Sequence, residues 1–205
     1  MKVELAQPGG APANSPLQGG NFVLIASLGL FAMAAQTLLF RDFFTVFEGN
    51  ELGVGAFFGA WLLWIALGAA AGRWISGWGL PLGLPAVAYA VAFVVQQALI
   101  LHAREWAGVH AFAQFPFARM FAAAFVVNAP FSFLTGLLFT MASREAARRA
   151  SLPAARVYIV ETFGGCLGGV FTTLALAFGM PGEKVILLAA VPLLGAAAGS
   201  LRGRP

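Results

Sequence analysis

Residues 35–72 read AQTLLFRDFFTVFEGNELGVGAFFGAWLLWIALGAAAG, and this stretch decides the fold. An apolar run ends on Gln36 and Arg41. A short polar loop follows with Asp42, Glu48, Asn50 and Glu51, and a Gly-rich apolar run then resumes and stops at Arg73. In hydrocarbon a backbone amide has no water to bond, so an apolar run of this length is stable there only as a helix. The stretch is a helix–loop–helix written for a bilayer, with its charges gathered in one turn.

The rest of the chain has the same character. Of 205 residues, 60% are hydrophobic and only 10% are charged. A soluble domain carries about 25% charged residues, so the chain reads as an integral membrane protein. Six runs are long enough to span a hydrocarbon core, which needs roughly 20 residues. They are 21–40, 53–72, 82–102, 120–142, 157–179 and 185–201. The expected fold is all-α and polytopic, with six transmembrane helices over residues 21–205. Pro130 and Pro192 lie inside two of the runs and predict kinks. Residues 1–20 are rich in Pro, Gly and Asn and lack the apolar core of a signal peptide. They read as a disordered or surface-lying cytoplasmic tail.

The basic residues set an orientation. Lys2, Arg73, Arg144, Arg148, Arg149, Arg156, Arg202 and Arg204 fall on one side, and Arg41, Arg104, Arg119 and Lys184 on the other. The positive-inside rule places the richer side, with both termini, in the cytoplasm. Topology also explains the net charge of +4, so nucleic acid is not an expected partner. The expected partners are the lipid bilayer and either a second copy or other membrane subunits. Trp61, Trp64, Trp74, Trp78 and Trp106 lie mostly near predicted helix ends, as an aromatic belt would. Residues 103–117 are expected to form a short interfacial helix. The basic segment 143–155 is expected to lie on the anionic inner leaflet.

Chemistry has little to stand on. The single cysteine, Cys166, allows no internal disulfide. No Cys/His pair has metal-ligand spacing, and no catalytic set or Gly-rich phosphate loop is present. No metal, cofactor or enzymatic activity is expected. His102 and His110 flank a loop and read as interfacial polar residues.

Small residues four apart let helices approach closely. Gly55 and Gly59, Gly68 and Gly72, Gly164 and Gly168, and Gly165 and Gly169 have this spacing. They predict helix packing and make the second and fifth spans core helices. Intramembrane polar residues carry more functional weight, because they are costly in lipid. The candidates are Gln36, Gln96, Gln97, Asn128, Thr135 and Glu161. Glu161 is the sharpest, since a carboxylate at that depth needs a cation or a proton. An ion pair with Arg73 or Arg144, at the same expected depth, is the structural reading. A substrate or proton site that also draws on Gln36, Asn128 and Thr135 is the functional one. At the other side, Arg41, Asp42, Glu48, Asn50 and Glu51 read as a paired loop that fixes the first helix against the second. Their functional reading is a polar mouth recognising a cation.

Several of these residues together resemble a family. Gln36 and Arg41, then Phe47-Glu48-Gly49-Asn50, then Leu67-Gly68-Ala69-Ala70-Ala71-Gly72-Arg73 resemble the membrane part of bacterial spermidine-synthase-like membrane proteins. The runs 133–139 (FLTGLLF) and 157–169 (VYIVETFGGCLGG) resemble its later motifs. The resemblance covers nearly all of residues 29–179. It implies half of a major-facilitator-like bundle in a bacterial inner membrane, with six helices and both ends inside. Thr140 stands where a proline is expected, and Glu161 where an amide or small polar residue is more usual. Family members commonly carry a soluble aminopropyltransferase-like domain, and no nucleotide-binding fingerprint lies in these 205 residues.

Two functions follow as expectations. The first is a transporter-like module, working as a homodimer of half-transporters, that binds or moves a small cationic or polar solute. The alternative is a structural or anchoring subunit of a larger membrane complex, such as the membrane partner of a separate polyamine-synthase-like or other enzyme.

Overall fold

A computed structural model describes residues 19–47, 49, 51–75, 82–110, 113–150 and 153–202. Residues 1–18 of the expected tail lie outside the described residues, as do Glu48, Asn50 and Trp78. The first helix, α1, spans Gly19–Val46 and so takes in Arg41 and Asp42, which are expected at the loop. No helix breaker stands between Phe40 and Val46, and charged side chains near a span's end can reach the interface. Gly49 closes the helix: its N–H donates to the Phe44 carbonyl at 2.9 Å, and its φ of 55° suits glycine. Glu51 then opens α2 (Glu51–Ile75), where a carboxylate complements the helix dipole.

α3 (Gly83–Leu101) is followed by a single turn, α4 (Ala103–Trp106). The interfacial helix expected over 103–117 is therefore mostly loop. Arg104 organises that loop by donating to the carbonyls of Val46 (3.0 Å) and His110 (2.9 Å). α5 (Phe117–Val127) and α6 (Ala129–Ala150) form one span bent by 46°. α6 continues as helix through the first half of the basic segment 143–155. α7 (Ala154–Ala177) and α8 (Gly182–Arg202) complete the chain, with Pro192 inside α8. Five helices are long and apolar enough to cross a membrane, and the bent pair makes a sixth span.

The bundle is apolar outside, and its few buried polar side chains sit within an apolar interior. Leu62, Leu63, Val94, Phe163, Val170 and Val191 are exposed, while Gln96, Asn128, Ser132 and Thr172 are buried. Water would favour the reverse; lipid favours this arrangement, because polar side chains find partners only within the bundle. The protein is therefore an integral membrane module in a lipid bilayer.

The bend has a stated cause. Pro130 brings no N–H to the first turn of α6, and Gln96 from α3 serves the broken backbone there. Its Oε1 accepts the Phe131 N–H at 3.0 Å, and its Nε2 donates to Asn128 Oδ1 at 3.2 Å. Asn128 in turn donates to the Ala124 carbonyl at 2.9 Å. Each such bond is worth only about 0.6 kcal/mol in a membrane, but together they pair the Gln96 and Asn128 side chains and the Phe131 N–H at the kink.

Packing does not follow chain order. α1 packs most extensively on α7, and α2 on α6. α1 and α2 meet chiefly through aromatic rings near their shared loop, with Phe40 5.3 Å from Phe57 and 5.2 Å from Phe58. Among the described residues, rings make the contact between these two helices. Asp42 turns instead to α3, accepting from Gln97 at 2.9 Å.

Glycine sets both major crossings, and the two crossings match residue for residue. A Cβ at Gly29 would strike the Glu161 carbonyl and lie 3.0 Å from the Gly165 nitrogen. A Cβ at Gly136 would strike the Ile65 carbonyl and lie 2.8 Å from the Ala69 nitrogen. From the other side, Gly164 abuts Ala26 and Gly168 abuts Leu30, while Gly68 abuts Phe133 and Gly72 abuts Leu137. Moving 107 residues on carries Ala26, Gly29 and Leu30 to Phe133, Gly136 and Leu137. Moving 96 residues back carries Glu161, Gly164, Gly165 and Gly168 to Ile65, Gly68, Ala69 and Gly72. α1 thus corresponds to α6 and α7 to α2. Successive spans alternate in direction, so the corresponding helices run oppositely across the bilayer. The α1–α2 pair and the α6–α7 pair are thus repeats of inverted topology that exchange their second helices.

Two features of the packing differ from the expectation drawn from glycine spacing. A Cβ at Gly55 or Gly59 would meet nothing within 4 Å, because the α2–α6 crossing uses the other half of α2. The most buried span is α1, 56% of whose apolar window is inside the bundle, against 17% for α2. A close glycine crossing makes a tight pair; it does not make both partners central.

Candidate functional site

Between the α1–α7 pair and the α2–α6 pair lies a cavity of about 440 Å³. Each of the four helices gives it one stripe. α1 contributes Gly29, Ala32, Met33 and Gln36, spaced as one helical face. α2 contributes Trp61, Ile65 and Ala69, each one turn apart, and α6 contributes Thr135, Gly136 and Phe139. α7 brings Tyr158, Glu161, Thr162, Gly165 and Cys166. α2 and α7 share no extensive interface, and Tyr158, Thr162 and Cys166 are exposed along that side. The cavity therefore opens laterally between α2 and α7.

The cavity sits on the relation between the repeats. Gly29 and Gly136 both line it, as do Ala32 and Phe139, Ile65 and Glu161, and Ala69 and Gly165. Each of these is a corresponding pair under the shifts given above. Fold symmetry makes the space, and sequence asymmetry makes its chemistry: Glu161 occupies on α7 the position that Ile65 occupies on α2.

Glu161 lies 7 residues into α7, about 10 Å along the helix at 1.5 Å per residue. Among the described residues no cation pairs with its carboxylate and no donor hydrogen-bonds to it. The ion pair with Arg73 or Arg144 does not form. Arg144 instead donates to the Arg73 carbonyl at 2.7 Å, which ties α6 to the last turn of α2.

Of the other polar candidates, Gln36 and Thr135 reach the cavity and Asn128 does not. Thr135 donates to the Phe131 carbonyl at 2.9 Å. Its single proton is then committed, so Tyr89, 2.8 Å away, donates to Thr135 Oγ1. Tyr89 is held by stacking on Phe131, with ring centroids 4.2 Å apart. Asn128, with Gln96, belongs to the kink. Arg41, Asp42 and Glu51 are at the loop end and do not line the cavity.

Sequence reasoning missed the aromatic walls, Trp61, Phe139 and Tyr158. Tyr158 was within reach, since it precedes Glu161 by one turn on the same face. Trp61 shares its stripe with Ile65 and Ala69, but nothing in the sequence says which face of α2 turns inward. Its indole N–H is buried without an acceptor among the described residues.

No family model, curated protein or solved structure matches the chain.

Proposed function

We propose that the chain is a transporter-like membrane module whose cavity binds a small cationic solute. The observation that carries this reading is the unpaired Glu161 carboxylate in a cavity between inverted repeats. An ionised acidic side chain inside a spanning helix is costly, up to about 3 kcal/mol at the centre, and among the described residues no partner offsets the cost. Ile65 at the corresponding position shows that the crossing itself has no need of a carboxylate. Solute sites of repeat-built transporters lie at this kind of interface. The expectation of a half-transporter bundle, drawn from the resemblance of residues 29–179, agrees with this reading.

Reconstituted vesicles test it. The wild-type chain is expected to accumulate members of a panel of small amines and organic cations. Glu161→Gln is expected to lose that uptake while its thermal stability stays equal or rises. Normal uptake by the Glu161→Gln protein ends the reading.

The same proposal sets the basic end, with Arg73, Arg144, Arg148 and Arg156, in the cytoplasm. In a Cys166→Ala background, a cysteine placed at Ser15 is expected to resist a membrane-impermeant thiol reagent in intact cells. Ready labelling there reverses the orientation.

A further inference from the structure

Resting on that reading of the cavity, we infer that its solute is an organic monocation with an apolar or aromatic body. Three observations bear on the class of ligand. Among the described residues, Glu161 is the only charged one in the lining, so the site neutralises one positive charge. Trp61, Phe139 and Tyr158 line the same space, and aromatic faces attract organic cations while burying their hydrocarbon. The remaining wall is mainly Gly, Ala, Met and Ile, with Gln36, Thr135 and Thr162 as its neutral polar side chains.

Other cations fit less well. A bare metal ion takes six or more oxygen ligands, which one carboxylate and three neutral side chains on separate helices do not assemble. A polyamine brings two or more charges; after Glu161 takes one, the next lies against apolar walls at high cost. A volume of about 440 Å³ is in the range of sites for drug-sized molecules, roughly 300–1,000 Å³. The lateral opening between α2 and α7 suits a solute that partitions into the bilayer before it binds.

The experiment is equilibrium binding of radiolabelled tetraphenylphosphonium to the full chain purified in detergent. Benzyltrimethylammonium, spermidine and sodium serve as competitors. Alkylation of Cys166 by N-ethylmaleimide is followed in parallel, since Cys166 is the only cysteine and lines the cavity. Saturable binding is expected, displaced by benzyltrimethylammonium and not by equal concentrations of spermidine or sodium. The bound cation is expected to slow Cys166 alkylation. Glu161→Gln is expected to weaken binding about tenfold or more, since it removes the only counter-charge. Glu161→Asp recovers part of the loss, and Trp61→Leu weakens binding roughly fivefold. Because these last two keep either the charge or the apolar wall, they report on the site even if Glu161→Gln fails to fold. Spermidine binding in place of tetraphenylphosphonium, with Cys166 protected and Glu161 required, overturns the monocation class and leaves the solute site standing. No binding by any of these cations, with Cys166 alkylation unchanged, overturns both.

Discussion

Gly29→Ala is expected to destabilise the bundle by about 3 kcal/mol or more, the upper end for overpacking a well-filled interior. The added methyl group would strike the Glu161 carbonyl oxygen and lie 2.8 Å from its carbon. Both are backbone atoms of a packed helix, so no rotamer change relieves the clash. α1 and α7 must separate, and every dispersion contact along their crossing weakens together. In lipid there is little hydrophobic gain to compensate, because the tails are as apolar as the side chains. By correspondence, Gly136→Ala strikes the Ile65 carbonyl and is expected to cost a similar amount. Gly55→Ala and Gly59→Ala are the controls, since a Cβ at either meets open space. They are expected to be neutral or to stabilise by up to about 1 kcal/mol through helix propensity. Unfolding in detergent measures all four; a Gly29→Ala protein as stable as the wild type would refute the close crossing.

These glycines show how far the sequence reaches. Apolar run length alone set the six spans, because lipid leaves the backbone few alternatives. The spacing of Gly68 and Gly72 and of Gly164 and Gly168 gave the existence of close crossings. It could not give their partners, Ala26 and Leu30 on α1 and Phe133 and Leu137 on α6, nor the isolated Gly29 and Gly136 between them. Nor could it separate these pairs from Gly55 and Gly59, which have the same spacing and face outward. The repeat is faint in sequence for the same reason. A crossing constrains only the few positions where backbones touch, and the rest of each helix is free to diverge toward its own neighbours. The site was half legible. Intramembrane cost singled out Gln36, Thr135 and Glu161, which share the cavity, but it singled out Asn128 equally, and that residue serves a backbone kink. The aromatic walls escaped because phenylalanine, tryptophan and tyrosine are at home anywhere in such a chain. Only their placement beside an unpaired carboxylate makes them distinctive.

Ile65→Glu is expected to shift solute preference from one positive charge to two. Ile65 and Glu161 correspond under the repeat and line the same cavity, so the substitution gives each repeat one carboxylate. A bound monocation then leaves one of them without a counter-charge, whereas a diamine matches both. The second carboxylate costs about 3 kcal/mol where it is unpaired, so the variant alone is expected to unfold at lower temperature. A diamine at 100 times its dissociation constant returns about 2.7 kcal/mol of that loss. The measurement is thermal unfolding in detergent with cadaverine or with tetraphenylphosphonium, on wild type, Ile65→Glu and Ile65→Gln. Cadaverine is expected to stabilise only the Ile65→Glu protein, because Ile65→Gln adds polarity without charge. Equal responses from all three would sink the idea that charge at this pair of positions selects the solute. The double variant Ile65→Glu/Glu161→Gln carries the argument one step further. It moves the single carboxylate across the axis relating the repeats and keeps the charge of the cavity unchanged. If the cavity works as a symmetric space holding one anionic group, this protein recovers the tetraphenylphosphonium binding that Glu161→Gln alone has lost.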